Sequence, residues 1–255
     1  MTIKRFKFFS STNKKKIRYQ ILNQKRDLFV IFFHGFMSDI EGEKPLAFLN
    51  FCRKKKIGFL TFEYSGHGKS SGKFTRGNIS KWTSDARKII NSKVKNKKKL
   101  IFVSSSMGTW IALNLIKDFK NKIKGFIGIG SAPEFLEKLM WNKFTKKIKK
   151  IINKKKIYNL ESNGGYIYPL TKQLFLDGKK NKVLNSKFNL KISVSMFHGS
   201  KDEIVPIHFS KKVLKIFPKS KKKLLIIKGG DHSLSKKRNL KKICNELDRM
   251  ISNHI

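Results

Sequence analysis

Apolar residues along this chain fall into short, β-rich runs at 28–33, 57–62, 100–103, 123–129, 192–197 and 224–227. Most of these runs, 28–33 above all, are continuously apolar, which marks strands covered on both faces. Helical spacing appears between them at about 43–56, 79–92, 107–120, 205–217 and 236–253. Two opening segments, "IKRFKFFSS" and "KKIRYQILNQ", predict an antiparallel pair with "STNK" as its turn. The alternation predicts an α/β architecture: a mostly parallel sheet with helices on both faces. Its length of 255 residues suits one large domain, 1–255.

Residues 134–190 break the rhythm. "FLEKLMWNKFTKKIKKIINKKKIYNL" reads as a helical, apolar-plus-lysine stretch, and Gly and Pro punctuate the adjoining "ESNGGYIYPLTKQLFLDGKKN". The expectation is a small helical, cap-like insertion over the sheet's active edge; an ordinary pair of surface helices is the alternative.

Charge changes the picture more than apolar content does. Fifty-nine Lys and Arg against 16 Asp and Glu give +43, and only 8 of the basic residues are Arg. Basic surfaces bind phosphates through counterion release. Here, however, the lysines are spread along the chain, and Arg, the better bidentate phosphate and base reader, is scarce. Specific nucleic-acid binding is therefore not expected; the expectation is a solvated lysine surface of compositional origin, with weak association with anionic surfaces as the alternative. The composition also matches AT-rich codon usage.

Cys52 and Cys244 are too few and too far apart in sequence for a disulfide framework, which points to a reducing, cytoplasmic setting. The basic N-terminus lacks the apolar stretch of a secretory signal. No run approaches the roughly 20 apolar residues of a membrane span.

"FVSSSMGTW" at 102–110 carries the candidate chemistry. A strand ends at Val103 and helical character begins after Gly108, so a tight strand-to-helix turn lies between them. A serine at the apex of such a turn, with small residues two places away on each side, is a nucleophile elbow. Gly108 fills one small position and makes Ser106 the nucleophile; Ser104 stands where the motif has Gly. A Ser-rich turn in which Ser106 only caps the helix is the competing account.

A serine hydroxyl needs a base, and the base needs an orienting group. "HGSKDEIVP" after one strand supplies Asp202, with Glu203 as rival, and "GGDHS" after the next supplies His232. The chain order Ser106, Asp202, His232 fits a serine-hydrolase triad. His34, His67, His198, His208 and His254 are the other histidines to weigh. The N–H groups of Met107 and of Phe36, in "HGFMSDIEGEK", are the expected oxyanion-hole donors. Trp110, Met140, Trp141 and Phe144, with Phe36 and Met107, are the expected acyl-pocket residues. Core packing is the competing account of Trp110 and Met140.

"FFHGFMSD", "FEYSGHGKSSGKF", "SSSMG", "HGSKDEIVP" and "GGDHS" together resemble the α/β-hydrolase superfamily across nearly the whole chain. More narrowly they resemble its mitochondrial palmitoyl-protein thioesterases, also described as acyl-glucuronide esterases, and their bacterial relatives. The resemblance implies an α/β-hydrolase fold and a serine hydrolase acting on small-molecule acyl esters or thioesters without metal or organic cofactor. It also implies roles for Ser106, Asp202 and His232 as triad and for Phe36 and Met107 at the oxyanion. Carbon–carbon bond hydrolysis or aminopeptidase chemistry on the same residues, and non-catalytic polyanion binding on a hydrolase scaffold, stay open.

Overall fold

In the computed structural model, residues 6–12, 15–94, 96–97, 99–161 and 165–254 are described. The first residues of "IKRFKFFSS" and the second half of the expected "STNK" turn lie outside them. Strands β1 (Lys7–Thr12), β2 (Lys15–Leu22), β3 (Leu28–Phe33), β4 (Gly58–Phe62), β5 (Lys99–Ser105), β6 (Ile123–Ile129), β9 (Ser193–Gly199) and β10 (Lys221–Ile227) form one sheet. Their order is β1-β2-β4-β3-β5-β6-β9-β10. The pairings β1–β2 and β2–β4 are antiparallel, and every neighbouring pair from β4 to β10 is parallel. This is the α/β-hydrolase arrangement of a mostly parallel sheet with helices around it.

β3 explains the layers. All six of its side chains are buried, and they alternate between two cores. Leu28, Val30 and Phe32 pack toward α1 (Glu43–Lys54) and α8 (Lys237–Ser252), beside Phe48, Leu49, Leu240 and Leu247. Phe29, Ile31 and Phe33 face the other way, in the core that holds α2 (Ile79–Val94), α3 (Met107–Asn114) and α7 (His208–Lys215). A continuous apolar run is what a doubly covered strand requires, and truncating one such Phe to Ala costs about 3–5 kcal/mol.

From β3 the chain runs to β4 on one side and later to β5 on the other. Loops leaving the carboxyl ends of β3 and β5 thus diverge, and such a switch point opens a crevice. No helix among the described residues is long and apolar enough to cross a membrane.

Three elements differ from the sequence pattern. The helix expected over 107–120 is split into α3 and α4 (Ile116–Phe119). The helix expected at 205–217 is the shorter α7. The stretch read as helical from 135 to 160 is not one helix. A π turn (Leu136–Met140) and a 3₁₀ turn (Trp141–Lys143) precede α5 (Lys146–Lys155), whose N-cap Thr145 accepts from Ile148 N. Lys156 then enters the left-handed region at φ 64°, and β7 (Ile157–Glu161) pairs with β8 (Ile167–Thr171). Ile157 and Tyr158 carry high strand propensity, and pairing with a segment ten residues on overrides the local helical spacing. α6 (Lys172–Lys180) comes next. The segment expected as a helical cap therefore also contains a hairpin.

Candidate active site

Ser106 occupies the turn between β5 and α3 with φ 50° and ψ −119°. A non-glycine residue at positive φ carries roughly 1–3 kcal/mol of strain and persists only where its surroundings fix it. Here Ser106 N donates to Ile129 O at 2.9 Å, while Thr109 N and Ala132 N donate to Ser106 O at 3.0 and 3.2 Å. Gly108 is required by close approach: a Cβ there would lie 2.3 Å from the Phe33 carbonyl oxygen.

Ser104, where the elbow motif has Gly, is fully buried and satisfied. Its Oγ donates to Ile127 O at 3.0 Å and contacts Thr109 Oγ1 at 3.1 Å, and Thr109 Oγ1 in turn donates to Ser131 Oγ at 3.1 Å. The added hydroxyl is absorbed by a polar chain behind the elbow.

β9 and β10 bring the other two groups. Asp202 follows β9, and its Oδ1 accepts from Ile204 N and Val205 N at 3.0 and 2.8 Å. His232 follows β10. The two loops touch so closely that a Cβ at Gly199 would lie 2.3 Å from Gly230 O. His232 Nδ1 lies 2.8 Å from Asp202 Oδ2, and His232 Nε2 lies 3.1 Å from Ser106 Oγ. Burial pushes the Asp202 pKa up, but the hydrogen bond and charge of His232, together with the Val205 N–H, outweigh it and hold the carboxyl below its ordinary value. An anionic Asp202 accepts from Nδ1–H, which leaves Nε2 as the acceptor toward the Ser106 hydroxyl.

None of the other candidates bridges Ser106 and Asp202 as His232 does. Glu203 is exposed, and the Asp231 carboxylate caps its own turn through Ser233 Oγ and Leu234 N. His198 is buried behind Asp202, its Nε2 2.8 Å from Val205 O and 3.4 Å from Asp202 Oδ2. His34 and His67 stack beside Tyr64 under the β3 loop. Burial pushes the His34 pKa down to about 4 and that of His67 well below its ordinary value. His208 and His254 lie away from Ser106, on α7 and beyond α8.

The Phe36 loop lies against the elbow: a Cβ on Gly35 would stand 3.4 Å from Ser106 Cβ. Neutral His34 donates from Nδ1 to Gly35 O at 2.8 Å, which fixes the plane of the Gly35–Phe36 peptide. In a trans peptide the Phe36 N–H points opposite to that carbonyl. Met107, as first residue of α3, has an N–H with no intrahelical acceptor.

A cavity of about 790 Å³ opens on Ser106 and His232. Its apolar wall includes Phe36, Phe135, Leu139, Met140, Leu160, Tyr168 and Val205; its polar end includes Asp39, Glu43, Lys44, Ser233 and Ser235. Of the expected acyl-pocket side chains, Phe36 and Met140 line it. Trp110, Trp141, Phe144 and the Met107 side chain do not. Trp110 is fully buried, donates to Asn181 O at 2.7 Å and packs edge-on against Phe135. Trp141 and Phe144 pack on Phe175 of α6, so these rings hold the 136–180 segment together instead of facing the cavity.

Sequence reasoning passed over Lys44, one of 51 lysines and, among the described residues, the one on the cavity wall. Its Nζ donates to Ser233 O at 2.5 Å and to Ser235 Oγ at 2.9 Å. Burial pushes its pKa down to about 8, against the raising charge of Asp231. In a chain so rich in lysine, composition hides the selected one.

The family described as serine aminopeptidase, S33 matches residues 24–173. The Bos taurus protein named palmitoyl-protein thioesterase ABHD10, mitochondrial, is 26% identical over 246 residues, spanning 96% of this chain and 79% of that protein. Among solved structures, a putative hydrolase from Agrobacterium vitis S4 superposes with TM-score 0.88 at 26% identity, covering 97% of this chain and 98% of that one. Alpha/beta hydrolase domain-containing protein 10 from mouse superposes with TM-score 0.87 at 26% identity, covering 98% and 99%.

Proposed function

Because the chain belongs to the hydrolase family described as serine aminopeptidase, S33, we propose that it hydrolyses carboxylic esters or acyl thioesters through Ser106, His232 and Asp202. The observation that carries this reading is the His232 imidazole lying within hydrogen-bond reach of both Ser106 Oγ and Asp202 Oδ2, at the mouth of an apolar cavity.

In this mechanism His232 Nε2 takes the Ser106 proton as Oγ attacks the acyl carbon. Asp202 holds the imidazole tautomer and stabilises the imidazolium. The Phe36 and Met107 N–H groups receive the oxyanion, each such donor being worth about 2.7–4 kcal/mol of barrier. His232 then protonates the leaving alcohol or thiol, and afterwards activates the water that frees the acid from Ser106. The acyl chain lies along Phe36, Phe135, Leu139 and Met140, and the leaving group departs toward Lys44 and Ser233. Relatives named palmitoyl-protein thioesterase support a long acyl group.

The family's description raises a second reading, aminopeptidase activity, which needs a carboxylate to hold a substrate α-ammonium. Asp39 and Glu43 line the polar end of the cavity and favour it, while the Lys44 ammonium beside them opposes it. Assays with p-nitrophenyl esters and acyl thioesters of graded length, set against aminoacyl p-nitroanilides, decide between the two. Turnover of the anilides alone overturns the esterase reading. A reducing, cytoplasmic setting accords with two free thiols, Cys52 and Cys244.

A further inference from the structure

Half of the large apolar side chains that stand exposed among the described residues lie at or next to the cavity mouth. Tyr166 and Ile204, from separate segments, both line the cavity mouth and are 71% and 65% exposed. Met37, between the lining residues Phe36 and Ser38, is 41% exposed. Ile157 and Ile167 stand out on the β7–β8 hairpin, whose Leu160 and Tyr168 turn toward the cavity. The others lie elsewhere: Phe8 on β1, Leu176 on α6 and Ile226 on β10. A clustered apolar rim marks a contact surface, whereas scattered exposed residues do not.

The densest lysine run leads into the Ile157 end of the same hairpin, whose other end carries Tyr166 and Ile167. Residues 146–156, which form α5 and lead into β7, hold seven lysines and no acidic residue. Ile152 is buried and Ile148 half-buried on its inner side, while most of its lysines are exposed. Such a helix, apolar inward, basic outward and continuous with a hairpin that bears exposed apolar side chains, has the chemistry that engages phosphate headgroups while apolar side chains enter the acyl boundary.

We propose that the cavity mouth docks on an anionic phospholipid bilayer, with Tyr166, Ile167 and Ile204 entering the interface and the α5 lysines contacting headgroups. A net charge of +43 draws a polyanion to every face. The apolar rim selects this face and this partner, because a nucleic acid or an acidic soluble protein gives isoleucines nothing to enter. Docked in this way, the cavity leading to Ser106 opens toward the lipid.

Co-sedimentation of the full chain with vesicles tests the proposal. Phosphatidylcholine vesicles containing phosphatidylglycerol are expected to bind at least about tenfold better than phosphatidylcholine alone. The triple variant Tyr166→Ser/Ile167→Ser/Ile204→Ser, with charge unchanged, is expected to lose about tenfold in affinity for the anionic vesicles. Lys150→Glu/Lys154→Glu is expected to weaken binding as well, and Phe8→Ser/Ile226→Ser to leave it within about twofold. Ser106→Ala is expected to bind as the parent does, which separates docking from the proposed chemistry. Equal binding by the triple variant, or no preference for phosphatidylglycerol, overturns the proposal. So does a dimer in sedimentation velocity that the triple variant disrupts while vesicles stay unbound, since the rim then belongs to a second copy. Should the triple variant melt early, Tyr166→Trp gives the readout. Brominated lipids are expected to quench the emission of the indole introduced by Tyr166→Trp and to leave that introduced by Ile226→Trp unchanged; equal quenching refutes the orientation.

Discussion

Lys44 Nζ donates to the Ser233 carbonyl at 2.5 Å, across 189 residues of chain. It joins the first turn of α1, just after the Phe36 loop, to the residue that follows His232. Removing it cuts the hydrogen bonds that tie the His232 loop to α1. Lys44→Met is expected to lower kcat on a short p-nitrophenyl ester by about tenfold with a smaller change in KM, since displacement of a general base acts mainly on the chemical step. Loss of charge-assisted hydrogen bonds should also cost about 1.5–3 kcal/mol in urea unfolding. Lys44→Arg should recover part of both; an unaltered kcat in Lys44→Met would remove the tether from the account.

Ser106 separates activity from stability. Ser106→Ala should reduce turnover by about 10⁶-fold and abolish fluorophosphonate labelling. Ser106→Gly should be equally inactive yet more stable than Ser106→Ala by about 1 kcal/mol, because glycine accepts φ 50° without the steric penalty. Thermal melts of the two variants compare them directly.

Acid should weaken the fold before the carboxylates titrate. His34 has a native pKa of about 4, and that of His67 is also lowered, both by burial. Between the unfolded value near 6.5 and the native values, the unfolded chain binds protons that the native chain refuses, so stability is full above about pH 6.5 and falls as pH drops. His34 alone accounts for about 3 kcal/mol by pH 4. His67→Phe, in a site ringed by Tyr64, Phe74 and Trp82, should flatten the urea-midpoint slope between pH 7 and 5. An unchanged slope would mean the imidazole is not held neutral.

Ser104→Gly restores the usual elbow residue but breaks the hydroxyl chain to Ile127 O and Thr109. It is expected to destabilise the protein by about 1–2 kcal/mol while leaving ester turnover within a few-fold. A stabilising substitution would show that Ser104 strains the turn.

Met140 narrows the cavity wall on its apolar side. Met140→Trp is expected to cut kcat/KM for long-chain thioesters by more than about tenfold and to leave acetyl esters nearly unaffected. Equal loss for both lengths would place the acyl chain elsewhere.

The order of strands and helices was legible along the chain because the central strands, β3 above all, are covered on both faces and are therefore mostly apolar. Ser106, Asp202 and His232 were legible for a related reason: each follows a strand's carboxyl end, where a parallel sheet gathers its loops. The apolar-plus-lysine spacing of 135–160 could not reveal a hairpin, since β7 gains its partner only from β8, which lies beyond that window. Nor could it separate wall from scaffold: Met140 faces the cavity while Trp141, the next residue, packs on Phe175. Lys44 was invisible among so many lysines until the fold brought Ser233 to it. Local pattern determined which segments are strands, helices and reactive turns, because those depend on neighbours in sequence. Tertiary packing alone decided which side chains meet across 100 residues or more, because burial and pairing there depend on partners that no local window contains.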